Sequence, residues 1–238
     1  MDNPYQASAA SVGAAAPLGV SYFKNPALLT LATRIFLGLG ILTSLCASAL
    51  ALHESSLMGE YSATDSLDDI YDQMIIPMML LGLVQSVAVF GSFVIIAMWI
   101  YRMAWNARYF AGASHMEYTP GWAVGWYFIP IATLWKPYQA MKEIWRASDD
   151  PAHMRLVSIP FWLPLWWCLW LVNNILSNVS ARLTFRAEII SEGMLANRIS
   201  ILVEAVNIVL CLVFLVVVNR LSRMQWRQQS LRQAQAVA

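Results

Sequence analysis

Residues 74–101 read MIIPMMLLGLVQSVAVFGSFVIIAMWIY, and no charged side chain interrupts them. At about 1.5 Å per residue, a helix of this stretch reaches about 42 Å, enough to cross a hydrocarbon core of about 30 Å with some tilt. Three further apolar runs bracket it: 27–52, broken only by Arg34; 159–180; and 199–218, which carries Glu204. The composition agrees, with 59% of residues hydrophobic and 12% charged. A soluble domain would carry about a quarter charged residues. The fold class this predicts is an all-α membrane protein with four transmembrane helices.

The intervening charges predict the orientation. The 53–73 connection has no Lys or Arg and holds Glu54, Glu60, Asp65, Asp68, Asp69 and Asp72. Lys24, the six basic residues of 102–158 and the four of the C-terminal region put eleven on one side, against three in 181–198. The side with eleven is read as cytoplasmic. Both termini then face the cytoplasm of a cell inner (plasma) membrane, as an even number of spans requires. A cleaved signal peptide is disfavoured at 27–52, because the run is too long and lacks a basic leader cluster. Residues 1–26, rich in Ala, Ser, Gly and Pro, predict a disordered tail. The spans occupy a domain from 27 to 220, and residues 221–238 predict a basic cytoplasmic tail.

Between the second and third runs lies Gly121–Trp135, apolar but short and interrupted by Pro130. Its length predicts a re-entrant or interfacial segment rather than a span. Ten of the eleven tryptophans fall between Trp99 and Trp170, as expected of a segment at a membrane face. In Pro137–Ala147, Met141, Ile144 and Trp145 share one helical face and Lys142 and Arg146 another. This predicts an amphipathic cytoplasmic helix, lying on the inner leaflet or packed on its own protein.

The run PGWAVGWYFIP (120–130), continuing through Leu134-Trp135-Lys136-Pro137-Tyr138 to Glu143, Trp145 and Ser148, is preceded by Arg102 and Asn106 and followed by LWWCLWL (165–171). It resembles the bacterial membrane-protein family catalogued as domain of unknown function 4328, over roughly Gln73 to Val218. The matching residues are Arg102, Asn106, Pro120, Gly121, Trp122, Pro130, Trp135, Pro137, Tyr138, Glu143 and Trp145. The resemblance implies a multi-helix membrane protein and carries over no catalytic or ligand residue.

Chemistry-bearing patterns are sparse. His53, His115 and His153 fall in connections, and Cys46, Cys168 and Cys211 lie far apart in apolar runs, giving neither a haem ligand pair nor a metal or redox motif. The 65–72 carboxylates read as a solvated acidic loop. No cofactor, metal site or nucleic-acid-binding pattern is expected. The informative residues are polar groups inside the spans, because burying them in hydrocarbon is costly. Arg34 is read as snorkelling or as a contact for an anionic headgroup. Asn173, Asn174, Asn178 and Asn207 lie at a depth similar to Glu204, as a polar knot or as interhelical glue. Counting from the helix ends places Glu204 against Asn174 or Asn178, with Arg182 as an alternative partner. Gly40, Ser44 and Ser48 form a small-residue stripe expected to face Gly82 and Ser86.

The expected partners are membrane lipid and either a second copy of the chain or another membrane protein. Three functional classes remain open. The favoured one is a non-enzymatic membrane scaffold or regulator using the Trp-rich cytoplasmic segment. The others are an oligomeric small-solute transporter or channel, and an intramembrane lipid-acting enzyme, for which no nucleophile–base pair can be named.

Overall fold

The computed structural model describes residues 22–63 and 65–237. Six α-helices follow in order: α1 Ala27–Met58, α2 Asp68–Ala111, α3 Pro120–Gly125, α4 Lys136–Asp149, α5 Trp162–Thr184 and α6 Ile190–Val237. Short 3₁₀ turns join α2 to α3 and α3 to α4. No strand occurs among the described residues; a lone antiparallel bridge joins Ser66 to Ile189. Three helices, α1, α2 and α6, are long and apolar enough to cross a membrane. The expected third span, 159–180, corresponds to α5, which is not among those three: it has 23 residues and is made more polar by Asn173, Asn174, Asn178 and three serine or threonine residues at its far end.

The long helices run up, down, up and down. Hairpin α1–α2 turns at an acidic end, hairpin α5–α6 turns beside it, and α6 packs against α1. At that end the backbone N–H of Ile190 donates to Asp65 O at 3.0 Å, and Ser191 N to Ala63 O at 3.1 Å. Met58, Leu67, Ile70, Met74 and Ile190 bury a small core beneath these bonds. The small-residue stripe on α1 faces α6 rather than α2. Ser44 accepts from Asn207 at 2.9 Å, and a Cβ on Gly40 would meet the Cys211 Sγ at 3.5 Å. Gly82, by contrast, has open space around it.

The helices outrun their apolar cores. Helix α2 has 44 residues and α6 has 48, or about 66 and 72 Å, roughly twice a hydrocarbon thickness. The expected basic tail from residue 221 is therefore helix, not tail. It stays helical because one face keeps burying side chains: Leu221 joins Met103 and Ala107 in the core, Gln225 bonds to Met103 O and Asn106 on the matching extension of α2, and Ser222 meets Thr30 of α1. The disordered tail also ends earlier than expected. Most of 1–26 lies outside the described residues, but 22–26 form a strap. Phe23 packs edge-on against Trp226 at 5.6 Å, and Lys24 Nζ sits 3.4 Å from the Trp105 ring centroid.

Helix α4 settles the choice left by its amphipathic pattern. Met141, Ile144 and Trp145 are buried on α2 and α6, so its apolar face meets its own protein rather than lipid. Three fully buried polar residues lock this basic end. Asn106 Nδ2 donates to Gln225 Oε1 at 3.0 Å and to Lys24 O at 2.9 Å, while its Oδ1 accepts from Lys24 N at 2.9 Å. Gln225 Nε2 donates to Met103 O at 2.9 Å and to Ser148 Oγ at 3.0 Å. Both amides are thereby satisfied, as a buried polar network requires.

Candidate ligand cavity in the helix bundle

The cavity follows from the order of the helices. α1 packs on α2 and α6, and α5 packs on α6, but α2 and α5 scarcely touch. The space left between them is a cavity of about 380 Å³, backed by α1 and α6. That lies within the range of about 300–1,000 Å³ typical of small-molecule sites. Its walls are mainly apolar, with Leu37, Ile96, Ile100 and Phe214 among them. Val89, Phe93 and Asn174 line the cavity and are also exposed, so its mouth opens sideways, out of the bundle.

A few polar groups converge at one level. Gln85, near the middle of α2, donates from Nε2 to Glu204 Oε1 at 2.9 Å. One turn further along α6, Asn207 is held by Ser44. Asn173 also lines the cavity, and its buried Oδ1 has no hydrogen-bond partner. A buried carbonyl oxygen left unpaired is costly, so Asn173 is a weak point in the packing of the cavity wall.

The Trp-rich segment closes the basic end. Thr119 Oγ1 accepts from Trp122 N at 3.3 Å, and Pro120 occupies the first helical position of α3, where a missing N–H does no harm. Val124 and Tyr127 line the cavity. Tyr127 meets the edges of Trp167 and Trp170 at centroid distances of 6.2 and 5.9 Å. Phe128 reaches Phe93 at 5.6 Å, whereas Tyr118 O is held by Arg108 at 3.0 Å. Those anchors are 15 residues apart on α2, so the segment travels about 22 Å along it. It then returns: Trp167 Nε1 donates to Leu134 O at 3.0 Å, and Lys136 Nζ donates to Tyr118 OH at 3.2 Å. At the tip, Ala132 N bonds back to Pro130 O at 2.7 Å across Ile131, whose φ is 67°. This is a γ-turn, strained for a β-branched residue and held by its surroundings.

Of the residues singled out in the spans, Asn173, Asn174 and Asn207 gather at the cavity, and Glu204 positions Gln85 there. The expected pairing of Glu204 with Asn174 or Asn178 does not form. Those two asparagines donate back along their own helix, to Trp170 O at 2.7 Å and Asn174 O at 2.8 Å. The counting argument gave the right level and the right neighbouring helices, but depth does not specify rotation about the axis. Arg182 is exposed, as is Arg34, and neither makes an ion pair among the described residues.

Most motif residues hold the fold around the cavity. Arg102 donates to Asn25 O at 2.7 Å, and Asn106 belongs to the buried amide lock. Glu143 accepts the backbone N–H groups of Glu117 and Tyr118; burial nonetheless holds its carboxyl above the usual range. Pro137 opens α4 and Trp145 is buried. Tyr138 is half-buried beside Lys142. Gly121, Trp122, Pro130 and Trp135 are exposed on the returning segment. Gln85 was not singled out in the sequence, because the 74–101 run that holds it was read for its lack of charge. A lone amide in the middle of an otherwise apolar run was the signal.

The pairing makes Glu204→Gln nearly neutral for stability, since an amide oxygen still accepts from Gln85. Glu204→Leu strands the Gln85 amide and is expected to cost about 1–2 kcal/mol. Unfolding of the two variants in mixed micelles checks this, and equal losses would rule the contact out as the cause.

A family model described as Domain of unknown function (DUF4328) matches residues 68–223. No curated protein and no solved structure matches the chain.

Proposed function

Because the chain belongs to the DUF4328 family, a domain of unknown function, we propose its role from its own geometry: a non-enzymatic membrane protein that admits a lipid or lipid-like amphiphile sideways between α2 and α5. The observation that carries this reading is the lateral mouth of a largely apolar cavity whose lining includes the amides of Asn173, Asn174 and Asn207. An apolar tail would fill the wall of Leu37, Ile96 and Phe214, and a polar head would meet the Asn174 amide at the mouth. Apart from the thiol of Cys211, the cavity's polar side chains are amides and hydroxyls, groups that orient a ligand. Occupancy would act as a regulator by bracing α2 against α5, with the Trp-rich segment as the floor that senses it.

In this reading α5 is the fourth span, with its asparagines tolerated because its own carbonyls and the cavity take them up. Residues 120–135 are a re-entrant hairpin, supported by the meeting of Tyr118 with Lys136 at its base and by the exposed apolar tip at Ile131. The basic bias puts both termini in the cytoplasm of the plasma membrane. Reporters fused after Ala63 and after Ala238 should then report opposite sides. Both on one side would remove the four-span topology.

The functional test is lipidomics of the chain purified in mild detergent. Wild type should retain lipid in a stoichiometric amount, and Ala97→Phe, which fills the cavity with a ring, should lose it while keeping its unfolding midpoint. Equal retention by the two proteins would overturn the reading.

A further inference from the structure

A second concavity lies at the basic end and shares no residue with the cavity. It is an open groove of about 840 Å³ between the outward stripe of α4, the turn at 114–118 and the segment 151–156. Because Met141, Ile144 and Trp145 turn α4 inward, Lys142, Glu143 and Arg146 are left facing the groove, opposite Arg155. Among the described residues none of these three cations has a carboxylate within ion-pair distance. Arg146 Nε is moreover buried without a hydrogen-bond partner.

The groove's two acids are already engaged. Glu143 accepts two backbone N–H groups, and Glu117 pairs with Lys136 at 3.5 Å. His115 and His153 complete the lining. Three cations without ion-pair partners outweigh the one carboxylate, Glu143, that no ion pair neutralises, and so raise the local concentration of anions, and a guanidinium presents the fork that phosphate oxygens fit. We propose that this groove binds a phosphate-bearing anion through Lys142, Arg146 and Arg155. Tyr118, on the groove wall, is tied to Arg108, seven residues beyond Tyr101 at the end of the apolar run. That is about 10 Å past the run, within reach both of a lipid headgroup and of a soluble phosphate ester.

The experiment uses the full chain in phosphatidylcholine nanodiscs, titrated calorimetrically with inorganic pyrophosphate. Binding should weaken as ionic strength rises. In Lys142→Glu/Arg155→Glu it should weaken by at least about tenfold, because two charge-assisted contacts become repulsions. Arg155 is exposed, so the single variant Arg155→Gln, checked by its near-UV circular dichroism, stands in if the double variant does not fold. A second arm replaces part of the phosphatidylcholine with phosphatidylglycerol. Weakened pyrophosphate binding there assigns the groove to a lipid headgroup, and unchanged binding assigns it to a soluble phosphate ester. Absence of pyrophosphate binding in phosphatidylcholine, or equal binding by wild type and the charge variants, overturns the proposal.

Discussion

Replacing Asn106 by Leu should destabilise the protein by about 3–5 kcal/mol, because it strands the backbone N–H and C=O of Lys24 and the Oε1 of Gln225 together, at about 1–3 kcal/mol for each buried group left unpaired. Asn106 is fully buried and sits where the 22–26 strap, α2 and α6 converge, while Gln225 carries the connection on to Ser148 of α4. The loss should be local before it is global. Without its two bonds to Asn106, the strap keeps the packing of Phe23 on Trp226 and Phe110, the bond from Arg102 to Asn25 O and the stacking of Lys24 on Trp105. Limited proteolysis should therefore cut near Lys24 in Asn106→Leu under conditions that leave wild type intact. A cycle with Gln225→Leu should show strong coupling, since the two amides share a bond. Additive losses from the two substitutions would mean that the lock is not a unit.

Trp99→Ala should cost about 3–5 kcal/mol, the usual range for truncating a fully buried large aromatic residue. Trp99 is completely enclosed where α1, α2 and α6 meet. Its indole packs edge-on against Phe214 at 5.9 Å, and its Nε1 donates to Thr30 Oγ1 at 3.2 Å. Thr30 is in turn hydrogen-bonded to Ser222 on α6 at 3.1 Å, so one side chain links three helices. Trp99→Phe keeps most of the packing and loses only the N–H contact, so it should cost less than half as much. Unfolding in mixed micelles reads both values. A loss below about 1 kcal/mol for Trp99→Ala, well under the usual range, would show that this junction does not support the bundle.

The sequence by itself determined the class and the vertical arrangement. Long uncharged runs such as 74–101 can satisfy their backbone in hydrocarbon only as helices. The counting of residues from helix ends correctly placed Asn173, Asn207 and Glu204 near one level, and it made α5 and α6 neighbours. Pro130 and the shortness of 121–135 were enough to predict that this segment is broken, and it divides into the end of α3 and two 3₁₀ turns. Each of these readings depends on distance along one chain.

What only the tertiary structure decided is rotation, extension and which helices stay apart. Helix rotation sent Glu204 to Gln85 and turned Asn174 and Asn178 back onto their own carbonyls. Helical periodicity cannot distinguish these outcomes when a helix is apolar on every side. The charged stretches 102–111 and 221–237 read as connection and tail because their composition is polar, yet one face of each finds the other and keeps both helical. The cavity is the clearest case. No residue encodes it, because it is the space left when α2 and α5 both pack on other partners and the Trp-rich segment fills only the end of the gap.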